Sequence, residues 1–519
     1  MSAVADRVSV KRKKSRQSGN AAKFLSETSP QDDAYEAWGQ YLMSRKSPRP
    51  LVKVLKSDSP PLGWGLEGLS TAEPTRALIA DCWTLVGRGR SSRAEGSQLS
   101  RLAKKYAEAA EAWLAAEPSQ PGVDEALTCL AWAEALPTLT GLLDAATWRQ
   151  MYDRLVSVAE DAIAGGYQPE TLASDLFAIE LPLTLAYLFP EAKPLRRLGA
   201  SATESLQDSL MERLDGACLP AAADIPQLRA WLATWTRSMH LATAGDAKLA
   251  KKAMEQFDWL VRQCLRLMRS DHSQVLWPLD VKPGEGTRSM LANALKLTED
   301  PEDKALVALI MDGEKVRDHR LPAEPGYESE WSGFALLQPD WSPREPRLAI
   351  DFSGTRLNCE LSVKNKVLSQ GEWCVDVRVD GRELDAVSDW ESICWQEDDD
   401  VDYLELECEW EGGWKLQRQF VFARQDYFLF IGDALFGPRE ADLEICQRLP
   451  LVDGVDCEPA EESTECFLTR GGKKALVIPP ALSEWRRGRH AGELSPTQHG
   501  LEQRLAHRGS ALYVPLFLD

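Results

Sequence analysis

The sequence predicts an α+β multidomain protein, with an N-terminal α/α toroid-like helical domain followed by an antiparallel β-sandwich. Three observations predict it. Apolar residues recur at helical spacing from about Asp33 to Asp312. Beyond about Arg347, period-two alternation takes over. Between them runs LPAEPGYESEWSGFALLQPDWSPREP, rich in Pro, Gly and Trp, as a crossing segment. At 519 residues the chain also exceeds what one hydrophobic core organises. The expected divisions are a disordered basic tail over 1–23, an all-α domain over 24–318, a linker over 319–330 and the sandwich over 331–519.

The helical half is justified by amphipathic runs with stop signals. RLAKKYAEAAEAWLAAEP sets Leu102, Tyr106, Ala109, Trp113 and Ala116 on one face, then stops at Pro118. Residues 145–164 repeat the pattern with Trp148, Tyr152, Leu155, Val158 and Ile163, and end at Gly165-Gly166. Similar segments lie near 74–86, 123–136, 171–189, 196–213, 225–243, 247–269 and 301–312. Short connections make sequential helices antiparallel neighbours. No repeat of about 34 or 40 residues is visible, which favours a toroid over a solenoid.

The second half reads as strands: RLAIDF, LNCELSV, WCVDVRVDG, DYLELECEW, WKLQRQFVFA, YFLFIGDAL, LEICQRLPL, KALVIP and SALYVPLF. In DYLELECEW, Tyr403, Glu405, Glu407 and Glu409 alternate with Leu404, Leu406, Cys408 and Trp410, so one face is wet and one packed. Tight turns such as Val379-Asp380-Gly381-Arg382 join such strands into an antiparallel sandwich.

Composition narrows the function classes. No run of 18 apolar residues exists to span a membrane, and MSAVADRVSVKRKKSRQSGN has no apolar core to follow its basic cluster. A cytoplasmic protein without signal peptide is expected. A net charge of −20 opposes nucleic-acid binding. Thirteen acids and no Lys or Arg crowd 383–411, whereas Met1–Lys23 carries seven basic residues and one acid. The acidic run 397–402 lacks the spacing of a Ca²⁺ loop and reads as a solvated hairpin tip. The eleven cysteines contain no C-x-x-C pair and read as buried reduced thiols, so no metal is expected. No phosphate loop, nucleophile elbow, zincin helix or dinucleotide fingerprint implies a cofactor.

Three stretches carry a resemblance to a known family. SDLFAIELPLTLAYLFPE (174–191), RLDGACLPAAADIPQLRAWLATWTR (213–237) and RQFVFARQDYFLFIGDAL (418–435) are similar, in that order, to segments of the heparinase II/III-like polysaccharide lyases. The resemblance implies cleavage of uronate-containing polysaccharides by β-elimination. That chemistry needs a group to neutralise the uronate carboxylate, a Tyr or His to remove the C5 proton, and a Tyr or His to protonate the leaving oxygen. The family's Asn would fall near Ala173, Ser174 and Asp175, its Tyr just beyond Asp215-Gly216, and its His within TRLNCELSVKNKVLSQG (355–371). None of these windows holds the required residue, and the six histidines, at 240, 272, 319, 490, 499 and 507, lie elsewhere.

The candidate ligand-binding residues are therefore Glu180, Trp235, Arg237, His240 and Tyr327. In WLATWTRSMHLA, Trp235 offers a sugar platform, Arg237 a carboxylate clamp and His240 a titratable group on one helix, which would form a groove wall. The plainer reading is packing of Trp231 on Trp235, with Arg237 capping a neighbour. Glu180, inside an apolar helix just before Pro182, must be paired or face a cavity. Arg486, Arg487, Arg489 and His490 form a basic cluster for an anionic glycan or for the acidic 383–411 region. Three functions follow. The first is a catalytically degenerate glycan-binding or scaffold protein, its ligand an acidic polysaccharide or oligosaccharide. The second is an active polysaccharide lyase with relocated groups, including Tyr327. The third is a structural scaffold for a protein partner.

Overall fold

The computed structural model describes residues 32–45, 48–88, 96–116, 122–166, 171–216, 218–487, 491–498 and 500–519. The basic tail over 1–23 lies outside them. Contacts divide the chain into two compact units. One comprises Met1–Gly63, Thr71–Asp208 and Thr234–Leu249, the other Trp64–Ser70, Ser209–Ala233 and Ala250–Asp519.

The first unit is helical, and its layering follows from where each helix carries apolar residues. Val123–Leu139 is apolar nearly all round, with Leu127, Leu130, Ala131, Ala133, Leu136 and Leu139 buried, so it forms an inner layer. It packs against Glu73–Arg88 and Leu181–Leu188. Ala145–Ile163 is amphipathic, burying Trp148, Met151, Tyr152, Leu155 and Ala159, and it packs on Gly96–Ala115 as an outer layer. Asp144 caps it, accepting from the amides of Ala146 and Thr147 at 3.0 Å each. Trp38, Trp148, Tyr152 and Phe189 meet in a cluster with centroids 4.9–6.2 Å apart. Among the described residues no helix is long and apolar enough to cross a membrane.

The predicted helix over 171–189 is three pieces. A short α-turn, Leu172–Asp175, runs into a π-turn, Leu176–Glu180, and then into the helix Leu181–Leu188. Pro182 explains the break: it has no N–H, and in a continuous α-helix its ring would press on the carbonyl four residues back. The π-turn reaches Leu181 N–H back to the Leu176 carbonyl and restarts the helix with Pro182 in its first turn, where no N–H is needed.

The second unit joins helices such as Lys251–Arg266, Thr287–Thr298 and Pro301–Asp312 with two antiparallel sheets. A five-stranded sheet runs in sequence order from Tyr327–Ser329 to Lys366–Glu372. A larger, eleven-stranded sheet centres on Leu429–Pro450 and Gly500–Leu518, which pair along most of their lengths. Both sheets contribute to one apolar core, in which Leu348, Ile350 and Leu361 meet Leu404, Leu416, Ile431 and Val514. The alternation in Val401–Trp410 holds: Leu404, Leu406, Cys408 and Trp410 are buried. On its other face, Glu405 accepts from Tyr403 Oη and Gln419 Nε2, both at 3.0 Å. Only the middle of the 397–402 run is a hairpin tip, where Asp398 accepts from the amides of Asp400 and Val401 at 2.8 Å; its ends are not solvated, since Glu397 and the fully buried Asp402 both pair with Arg424. YFLFIGDAL and LEICQRLPL prove to be one strand, Leu429–Pro450, whose register against Gly500–Leu518 shifts between Phe436 and Ala441. The two segments are joined through Gly437-Pro438, where the ladder is irregular. The eleven cysteines are free thiols.

Inside the sandwich, alternation places two charges where apolar residues belong. Arg418 faces inward with Leu416 and Phe420, and Asp433 with Ile431 and Leu435, directly opposite in register. Nε and Nη2 of Arg418 donate to the two Asp433 oxygens at 2.6 and 2.8 Å, with both side chains 0% exposed. Arg418→Leu alone should therefore cost about 3–5 kcal/mol in urea denaturation, because Asp433 is left buried without a partner. Arg418→Leu with Asp433→Leu should recover most of that loss, and a double variant as unstable as the single would refute the pairing argument.

Candidate functional site

Four of the five candidate residues lie in the first unit. Glu180 ends the π-turn, and Trp235, Arg237 and His240 sit on the helix Leu228–Ala244. Glu180 and Arg237 come together as a bidentate pair, Nε to Oε1 at 2.5 Å and Nη2 to Oε2 at 2.8 Å. The rest of the guanidinium is also used: Nη1 donates to the Pro61 carbonyl at 2.9 Å, and Nη2 reaches Thr234 Oγ1 at 3.3 Å. Arg237 is 1% exposed and Glu180 0%. Burial pushes the Glu180 pKa up, and the Arg237 charge and hydrogen bonds oppose it.

Trp235 is enclosed as well, at 0% exposure, and its indole N–H donates to Asp175 Oδ2 at 3.0 Å. A sugar platform needs an open ring face, so the partly exposed groove wall expected for Trp235 and Arg237 is not what the helix presents. The reason is inner-layer packing: Trp231, Leu232, Thr234, Trp235, Thr236 and Met239 are all buried on this helix. His240 is half-buried.

Beside the ion pair stands Glu134, which the sequence reading passed over. It borders a small cavity with Thr184, Leu188 and Leu241. Its Oε1 and the Thr184 Oγ1 are buried and unpartnered among the described residues. Burial, and then the charge of Glu180, push its carboxyl up to about 8, with Arg237 opposing. A polar residue in an otherwise apolar run, DEALTCLAWAEALPTL, was the available signal.

Tyr327 belongs to the second unit and is half-buried. Its hydroxyl donates to Asp215 Oδ2. Burial, and then Asp215, raise its pKa far above the ordinary phenol value. The Arg266 guanidinium lies 5.2 Å from the Tyr327 ring and 4.7 Å from that of Trp341. Asp215 in turn accepts from Leu219 N–H at 2.9 Å through Oδ1, so the Asp-Gly corner serves a turn and a tyrosine rather than an open site. In the basic cluster, Arg486 Nε donates to the Ser463 carbonyl at 2.6 Å, while Arg489 and His490 lie outside the described residues. Among the described residues no group of three or more His, Cys, Asp or Glu is placed to hold a metal ion.

Chemically, these groups are spent on each other. Arg237 cannot clamp a substrate carboxylate while Glu180 occupies it. Tyr327 holds its proton toward Asp215 and is a poor base near neutral pH.

Three variants test this geometry. Arg237→Ala should lower stability by about 3–5 kcal/mol by leaving Glu180 uncompensated, and Trp235→Ala should cost a similar amount, about 3–5 kcal/mol, as a core cavity. Chemical denaturation reads both, and a neutral result for either would mean that the side chain is free to serve a ligand. Glu134 makes stability depend on pH. Its folded pKa lies above the ordinary 4.5, so between about 4.5 and about 8 the folded chain binds more protons and stability falls as pH rises. Glu134→Gln should remove this slope from the melting temperature, and an unchanged slope would show that Glu134 does not titrate in this window.

No protein-family model matches the sequence, and no curated protein does. Solved structures do match. A heparinase III gene product aligns with TM-score 0.62 at 13% identity, covering 94% of this chain and 88% of that one. A second structure described as heparinase III gives TM-score 0.65 at 10% identity, covering 94% and 89%. The heparan sulfate lyase HepC from Pedobacter heparinus gives 0.58 at 12%, covering 94% and 88%. The helical array and the antiparallel sheets of this chain therefore have the fold of the heparinase III and heparan sulfate lyase structures.

Proposed function

We propose that this protein is a glycan-binding member of the heparinase fold that does not perform β-elimination, with an acidic polysaccharide or oligosaccharide as its ligand class. One observation carries the reading: the Arg237 guanidinium, the group best suited to neutralise a uronate, is closed off at 1% exposure by Glu180, Pro61 and Thr234. Closed off in this way, Arg237 cannot acidify the C5 proton, and loss of one preorganised donor raises the barrier by on the order of 3–4 kcal/mol. Tyr327 supports the same reading, since its hydroxyl donates to Asp215 and burial with Asp215 keeps it from ionising to act as the base. The likeness to heparan sulfate lyase structures supports a polymeric sugar as the ligand.

The test has two arms on the full chain. Incubation with heparan sulfate, heparin, chondroitin sulfate and alginate should give no ultraviolet absorbance of an unsaturated uronate, while calorimetry should detect binding of at least one of them. Unsaturated product that disappears in His240→Ala would replace this reading with an active lyase using relocated groups. Absence of binding to all four polymers would remove the glycan reading.

A further inference from the structure

A cavity of about 280 Å³ lies within the second unit, formed by segments far apart in sequence. Its wall carries Arg269, Lys282, Arg347, Lys366 and Arg470 against a single carboxylate, Asp271. That concentration of positive charge stands out in a chain of net charge −20.

The cations are not equivalent. Arg269 is already satisfied, donating to both Glu360 oxygens at 2.8 and 2.5 Å and to the Trp277 carbonyl at 2.7 Å. It forms a neutralised back wall. Asp271 is turned to its own segment, accepting from Ser273 N–H at 2.9 Å and Ser273 Oγ at 2.5 Å. Arg347 is 3% exposed; Nη1 donates to the Met268 carbonyl at 2.8 Å, and Nε has no hydrogen-bond partner among the described residues. Arg470 donates through Nη1 to the Val367 carbonyl, which fixes its position at the end of the strand Cys466–Arg470. Lys366 starts the strand Lys366–Glu372 after a turn with Lys364 and Asn365 at φ 46° and 71°. Its stem passes Gly471, where an added Cβ would stand 3.7 Å from Lys366 Cε. Lys282 and Lys366 are exposed, and the Lys282 charge acts on Asp271 across the wall.

We infer that this pocket binds one tetrahedral oxyanion, the phosphate or sulfate group of a small ester such as a sugar phosphate or sugar sulfate. A planar carboxylate is satisfied by one guanidinium from one side. Here Arg347, Arg470 and the two lysines come from different elements, which suits an anion with three terminal oxygens pointing in different directions. The volume, just under the usual range of about 300–1,000 Å³ for ligand pockets, admits one such group and its carrier rather than a length of polymer. The inference stands apart from the glycan reading, because it needs only the local charge and shape.

Calorimetry on the full chain at constant ionic strength decides it, with inorganic phosphate, inorganic sulfate, a hexose phosphate and a hexosamine sulfate as probes. Saturable binding of either inorganic anion is expected. Lys282→Ala with Lys366→Ala, both at exposed positions that should fold normally, should weaken it about tenfold or more, as loss of charge-assisted hydrogen bonds requires. Lys104→Ala, an exposed lysine of the first unit, should leave it unchanged. Preference among the esters identifies which source supplies the anion. No saturable binding of any probe, or an equal loss in Lys104→Ala, overturns the assignment. Polymer binding that persists when the anions fail to bind would remove this pocket and leave the glycan reading standing, and the converse result would do the reverse.

Discussion

Three guanidinium groups taken out of water are each met by a two-pronged carboxylate, and these pairs organise the interior of both units. Arg237 meets Glu180 among the inner helices, Arg269 meets Glu360 behind the basic cavity, and Arg418 meets Asp433 between the sheets. Each pair is bidentate, and each guanidinium also reaches a backbone carbonyl: Pro61, Trp277 or Trp373. Such pairs give little net stability over an apolar core of the same shape, but either partner alone is costly. They therefore fix which segments meet. Glu360 shows this most fully, since it also accepts from Leu276 N–H at 2.7 Å and so ties the segment after Lys251–Arg266 to the strand Asn358–Val363.

How far the sequence reveals these arrangements depends on the distance along the chain. Arg418 and Asp433 are 15 residues apart on adjacent strands, and period-two alternation puts both inward, so their pairing is readable from pattern alone. Glu180 announces itself as a carboxylate in an apolar run, but its partner lies 57 residues away. Nothing local says whether such a carboxylate meets a cation or a ligand. Tyr327 and Asp215, 112 residues apart, show the same limit. The two-part architecture is legible because periodicity is a local property, repeated many times over. The basic cavity is not, because its cations are scattered from Arg269 to Arg470 and only the chain path gathers them.

The residues that resemble the lyase family keep structural duties here. The 174–191 stretch supplies Asp175 for Trp235 and Glu180 for Arg237, and the 418–435 stretch supplies the sandwich ion pair. Asp215 of the Asp-Gly corner orients a turn and Tyr327. The likeness to the heparinase III structures, at 10–13% identity, is one of fold. A shared fold does not carry an activity with it, because function lives in a few groups set on the fold.

The long strands Leu429–Pro450 and Gly500–Leu518 carry a consequence for how the sheet yields. They pair on both sides of the Phe436/Ala441 shift, so the bonds at one end of the sheet are made by the same two segments as those at the other. A sheet assembled from short strands can fray in patches, each opening at its own free energy. Here the two ends are spliced through a shared spine, and neither can separate without straining the other. Amide protons along these strands should accordingly exchange through one common opening, leaving the edge hairpin Asp456–Pro459 and Cys466–Arg470 to exchange on its own schedule.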